Sequence, residues 1–316
     1  MSNNWFNEKV DEITVDNNKT NSKKYLSADL QENIRYIKTQ FGDAFDVKYR
    51  KYNAQGKEVV FVMVDGMCDS LLATEQVILP IIEADFKGKK GDKLIYSAAD
   101  KVSASIDKSI TNDLDEAIRE AIYGSILMLT EGALFTVMFG VQGFPKRAVL
   151  EPDTEMQERG SREAFVESFK DNVTMIRRRV RNPVFKTQIV EIGETSKTRA
   201  CVCYMSDRVD KDMLDKVVQR LKNSTVDTVL GSGYMQSFLD TKYASIFSGV
   251  GFTQRPDVLT AKISEGKICV IVDGTPNALI VPYLFIEHFH SMDDYLKRPY
   301  YATFIRILKL ISFLKL

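Results

Sequence analysis

The chain has 316 residues, 44% of them hydrophobic and 27% charged, with 43 Lys+Arg against 43 Asp+Glu. That length allows about two ordinary domains, with a core large enough to need no covalent staples. A formal net charge of zero argues against a dedicated nucleic-acid binder, which normally carries a clear basic excess.

Residues 1–26 are rich in Asn, Lys, Asp and Ser and contain no apolar signal core. They predict a flexible tail and argue against secretion; the alternative at Trp5 and Phe6, the apolar exceptions, is a small docking point. From residue 27 the pattern becomes periodic. Leu30, Ile34 and Ile37 mark a helix, V47-x-Y49 opens a strand pair, and VVFVMVDGMCD (59–69) reads as a strand leaving through a turn at Asp65-Gly66. Ile110, Leu114, Ile118 and Ile122 mark a further helix. GSILMLTEGALFTV (124–137) is a strand pair whose turn carries Glu131-Gly132. A carboxylate followed by glycine suits a tight turn, because glycine accepts positive φ without a Cβ clash.

Residues 140–153 (GVQGFPKRAVLEPD) are punctuated by Gly and Pro and read as linker. The order then repeats. Phe169, Asn172, Val173 and Ile176 match Leu30, Asn33, Ile34 and Ile37, and ACVCYMSDRVD (200–210) matches 59–69. Val209, Met213, Val217 and Leu221 give a helix. GKICVIVDGTPNAL (266–279) matches 124–137, with Asp273-Gly274 at the turn. Collinear self-similarity over four segments predicts an internal duplication. The expected class is α/β (α+β): two tandem similar subdomains, mixed sheets flanked by helices, and a C-terminal amphipathic helix. The boundaries fall at 1–26 (tail), 27–147, 148–159 (linker), 160–297 and 298–316.

Sites of chemistry are sparse. Cys68, Cys201, Cys203 and Cys269 form no C-x-x-C pair and read as reduced thiols packed as small hydrophobes. His288 and His290, beside Glu287, lack further ligands at metal-site spacing. Gly231-Ser232-Gly233 opens a helix without the rest of a phosphate-loop pattern. There is no G-x-S-x-G elbow, and neither a cofactor nor a metal is expected. Arg177, Arg178, Arg179 and Arg181 end a helix, where cations complement its dipole. The acids upstream (Glu151, Asp153, Glu155, Glu158, Glu163 and Glu167) suggest ion pairs within the protein or between subunits.

The C-terminal YYATFIRILKLISFLKL mixes apolar residues with Arg306, Lys309 and Lys315 and is too short and charged to span a bilayer. Three readings stand: a basic helix lying at a membrane surface, the cytoplasmic foot of a membrane span continuing past Leu316, or an amphipathic helix packed on the core.

Several segments together resemble the A-type subunits of spore germinant receptors, the GerA family. They are Glu151-Pro152, Glu155, RGSREAFVES (159–168), IRRRVRNP (176–183), TQRPD (253–257), EGKICVIVDGTPNALIVP (265–282) and MDDYLKRPYYATFIRILK (292–309), with VDGMCD earlier. The resemblance covers nearly all of the chain after residue 27. It departs from the family pattern at Gln254, at 243–251, where Pro-Gln is missing, and at Thr130-Glu131.

The resemblance implies a nutrient receptor subunit with two linked α/β subdomains on the cytoplasmic (core) side of the spore inner membrane. Its implied partners are B and C subunits and other A subunits, with transmembrane helices following and no nucleic acid involved. On this reading Glu151, Glu155, Arg159, Glu163, Arg177, Arg178, Arg179 and Arg181 set lobe or subunit geometry, joined by Arg255 and Asp257. Asp65-Gly66 and Asp273-Gly274 shape equivalent turns, and Arg298, Arg306 and Lys309 lie near the membrane. The alternatives are a small-molecule-binding module with a cleft between the lobes, and an α/β enzyme, for which no nucleophile motif speaks.

Overall fold

The computed structural model describes residues 24–102, 105–143, 161, 163–224, 226–240, 248–289 and 299–314. It holds two five-stranded sheets of identical topology. In lobe 1, α1 (Leu30–Phe41) leads to β1 (Val47–Ala54) and β2 (Lys57–Val64). A helical run follows in three pieces: α2 (Ser70–Leu72), a π-helical stretch (Ala73–Ile78) and α3 (Leu79–Glu83). Then come α4 (Asp92–Lys101), β3 (Asp107–Thr111), α5 (Leu114–Tyr123), β4 (Ser125–Thr130) and β5 (Thr136–Gly140).

Lobe 2 repeats the plan. It has α6 (Phe169–Arg179), β6 (Phe185–Ile192), β7 (Thr198–Met205), α7 (Lys211–Lys222), α8 (Ser232–Leu239), β8 (Gly251–Thr253), α9 (Pro256–Ser264), β9 (Ile268–Val272) and β10 (Ala278–Val281). The strand orders are β1-β2-β4-β5-β3 and β6-β7-β9-β10-β8. A 3-10 turn (Phe285–Phe289) and α10 (Pro299–Leu314) complete the described chain.

Each sheet is covered on both faces. Val60, Val62 and Val64 of β2 pack under α1 and α5, while Val59, Phe61 and Met63 face α3 and α4. In lobe 2, Cys201, Cys203 and Cys269 lie under α6 and α9; Ala200, Val202 and Val270 lie under α7 and α8. Alternation along each strand sends successive side chains to opposite faces, and two covered faces make the central strands apolar throughout.

The α/β class and the duplicated plan agree with the sequence. The expected mixed sheets do not: every pairing among the described strands is antiparallel. A strand buried on both faces reads alike in either direction, so direction is set by the connections. The β1–β2 link is a two-residue turn, Gln55-Gly56, with φ of 51° and 85°. Positive φ at both central residues matches the twist of paired antiparallel strands. Ile110 sits on β3 rather than on a helix; α5 starts at Leu114 because the Asp113 carboxylate accepts from the amides of Asp115 and Glu116.

The duplication extends to hydrogen bonds. The Asn33 amide bonds both backbone groups of Ser27, and the Asn172 amide does the same with Val166. Glu131 accepts from the Leu30 amide at 3.0 Å, and Asp273 from the Phe169 amide at 3.3 Å. In each lobe, therefore, the acid of the last hairpin caps the first helix, whose leading amides lack intrahelical partners. Residues 24–26 also join lobe 1: the Leu26 amide donates to Asn112 O, and Leu26 is buried.

Candidate functional site at the lobe junction

The same helix-to-strand segment of both lobes builds the junction. Asp46, just before β1, meets Arg177 on α6. Arg177 donates through Nε to Asp46 Oδ2 and through Nη2 to Asp46 Oδ1, both at 2.9 Å, and through Nη1 to Phe185 O at 3.0 Å. Thr187 Oγ1 adds a bond to Asp46 Oδ1 at 2.7 Å. The Arg177 side chain is 0% exposed and its guanidinium lies 4.5 Å from the Phe185 ring centroid. The planar fork of arginine fits a carboxylate bidentately, and a buried pair is tolerable only with its remaining polar atoms bonded.

Further contacts surround this pair. The Phe45 amide donates to Thr187 O, the Phe45 and Phe169 rings lie 5.8 Å apart, and Arg181 stacks 4.5 Å over Tyr123. Lys186 reaches Gln40 O across the junction, and burial, with Arg177 nearby, pushes its ammonium down to about 8. At Gly66 the lobes approach so closely that a Cβ would lie 2.2 Å from Thr174 Oγ1, and its φ is +80°. Gly66→Ala is expected to destabilise the chain by about 2 kcal/mol or more in urea unfolding, from left-handed strain plus overlap. Adding Thr174→Ala should return the overlap part and leave the strain.

A cavity of about 400 Å³ opens beside these residues, lined among others by Asp46, Asp65, Asp69, Lys170, Asp171 and Thr174. Cys68 also lines it, but burial pushes its thiol up to about 12, so it stays protonated and unreactive.

The structure separates the residues singled out in the sequence. Arg177 alone of the four arginines is fully buried. Arg178 and Arg179 turn to Glu163, Arg178 at 3.2 Å. Burial opposes the Glu163 charge, but Arg179 and then Arg178 outweigh it and hold the carboxyl below its usual range. Arg181 donates through Nε to Arg178 O. Arg255 pairs with Asp257 through Nε (3.1 Å) and Nη2 (2.5 Å) at the start of α9, which packs along α6. Asp65-Gly66 follows β2, where the Asp65 amide donates to Asp46 O. Its topological counterpart is Ser206-Asp207; the counterpart of Asp273-Gly274 is Glu131-Gly132, so the expected equivalence of the first and last turns is corrected. Glu151, Glu155, Arg159 and Arg298 lie outside the described residues.

Sequence reasoning missed the junction's other half. Nothing local marks Asp46 or Thr187. Arg177 did carry a signal, since it falls four residues after Val173 on the apolar stripe of α6. The acid beside the two histidines is also engaged: Glu287 accepts from Lys262 at 2.7 Å, Lys267 at 2.6 Å and the Leu284 amide at 2.7 Å. Among the described residues no group of His, Cys, Asp and Glu is placed to hold a metal.

Arg306 and Lys309 are half-buried on α10, while Tyr300, Phe304, Ile307, Leu308 and Ile311 of the same helix are exposed. Phe313 meets Phe285 of the 3-10 turn at 5.8 Å. Among the described residues no helix is long and apolar enough to cross a membrane.

Fold and junction together define a duplicated α/β body whose two lobes are joined by a desolvated ion pair. A family model described as Bacillus/Clostridium GerA spore germination protein matches residues 35–315, and the chain belongs to that family. It is 30% identical over 291 residues to spore germination protein KA of Bacillus subtilis (strain 168), covering 91% of this chain and 53% of that protein. With spore germination protein A1 of the same organism the identity is 25% over 294 residues, covering 93% and 59%. The chain thus spans a little over half the length of these relatives. The crystal structure of the N-terminal domain of the A subunit of the Bacillus megaterium spore germinant receptor GerK3 has the same fold. That match has a TM-score of 0.63 at 22% identity and covers 84% of this chain and 98% of that one.

Proposed function

We propose that the chain is the cytoplasmic-side N-terminal region of a nutrient germinant receptor A subunit. It assembles with B and C subunits and other A subunits at the spore inner membrane and relays shape change in germination. The observation that carries this reading is the desolvated Asp46–Arg177 pair. It makes the lobes move as one body, able to pass displacement on without covalent chemistry. The exposed apolar residues of α10 support a contact with membrane or partner subunits, since contiguous apolar surface marks interaction sites.

The test uses spores carrying the full-length receptor with Phe304→Asp and Ile307→Asp. Both residues are exposed, so the lobes should fold normally. Loss of co-purifying B and C subunits and of the nutrient response is expected. Normal germination and normal complex recovery would discard the proposal.

The cavity between the lobes favours a second reading, a small-molecule cleft, because such hollows at lobe boundaries suit ligands. A melting-temperature rise with one member of a panel of amino acids, sugars and nucleosides would support it. A flat panel would count against it.

A further inference from the structure

Two adjoining hollows on lobe 2 share one pair of cations. The first, about 360 Å³, is walled by Met213, Val217, Leu239, Val281 and Leu284. The second, about 500 Å³, is the more polar of the two, with Gln219, Asn223, Ser224, Ser237 and Phe238 in its lining. Lys216 and Arg220, one turn apart on α7, belong to both. Residues four apart on a helix lie on one face, so the two charges stand together where the apolar and polar linings meet. Arg220 is held from the apolar side by a bond from Nη1 to Leu239 O at 3.5 Å. Among the described residues no carboxylate lines either hollow; Asp212 and Asp215 of α7 line neither. This face of the sheet, under α7 and α8, is opposite to the one that carries α6.

We propose that the double hollow binds a single-chain anionic amphiphile. The acyl chain fills the apolar slot, the carboxylate or phosphate sits between Lys216 and Arg220, and further head-group atoms occupy the polar hollow. Each part follows from chemistry. Apolar walls facing an empty slot lack partner atoms, and a methylene chain supplies them while leaving water. Two cations in linings that carry no carboxylate favour an anion over an ammonium, which disfavours amines. The slot has the size of ordinary small-molecule sites. The inference is independent of the receptor reading above, since it concerns a different face of lobe 2.

Titration calorimetry of the purified chain with decanoate and decylamine, below their micelle concentrations, tests it. Decanoate should bind saturably, about tenfold or more tighter than decylamine, and each methylene from hexanoate upward should tighten binding about fourfold. Lys216→Gln with Arg220→Gln should abolish the preference for the acid. Leu284→Asn should weaken both ligands. All three positions are exposed, so melting temperatures should not move and loss of folding cannot mimic the result. Competition by phosphatidylglycerol vesicles, absent with phosphatidylcholine vesicles, would identify a bilayer lipid as the source; binding of decanoate without such competition would identify a free acid. Equal binding of decanoate and decylamine, or decanoate binding untouched by the cation variants, would overturn the proposal.

Discussion

Arg177→Met is expected to lower the unfolding free energy by about 3–5 kcal/mol, because it leaves the Asp46 carboxylate buried without its counter-charge. Asp46 would keep the bond from Thr187 Oγ1 and lose the two from Arg177. Urea unfolding of Arg177→Met, Asp46→Leu and the double variant forms a cycle that separates the pair from its desolvation. The double variant should be more stable than either single one, since replacing both partners by apolar groups removes the penalty as well as the attraction. If each single substitution cost less than about 1 kcal/mol, like an exposed pair, the two lobes would not be locked at this point.

The second large effect concerns acid. Burial opposes the Glu287 charge, but hydrogen bonds from Lys262 and Lys267 outweigh it and hold the carboxyl at about 2, against an ordinary value of 4.5. A carboxyl whose folded value lies below its unfolded value stabilises the fold above the unfolded value and stops doing so as pH falls through the folded one. The stabilisation is therefore full above about pH 4.5 and disappears by about pH 2. At about 1.4 kcal/mol for each pH unit between the two values, it amounts to about 3 kcal/mol. Glu287→Gln should show that deficit at pH 7. The gap between wild type and variant should close between about pH 4.5 and 2 in denaturant titrations. A gap constant across that window would mean that Glu287 contributes packing rather than charge.

The plan of the molecule was legible because it depends on local requirements. Short β-branched, apolar runs bounded by Gly and Asp gave the strands, spacing of three and four gave the helices, and collinear matches that include the hairpin acid with its glycine revealed the duplication. Even the role of that acid repeats, at Glu131 and at Asp273. Sheet direction was hidden, since β2 is buried on both faces and its residues carry no record of which way their neighbours run. The junction was hidden for a different reason. Asp46 and Arg177 are 131 positions apart. In the sequence Arg177 is one of four similar residues; only helix phase turns it inward while Arg178 and Arg179 turn to Glu163. Lys262, Lys267 and Glu287 likewise converge only through the folding of α9, β9 and the 3-10 turn.

The strand orders bear on how such a body behaves when crowded. Each sheet ends, on the side opposite to β1 or β6, in a short strand: β3 in lobe 1 and β8 in lobe 2. A long flat rim with free amides would recruit further strands from other copies. β3 instead presents Asp107 and Lys108 to water, and β8 is only three residues long. These two rims are thus poor templates for runaway strand addition.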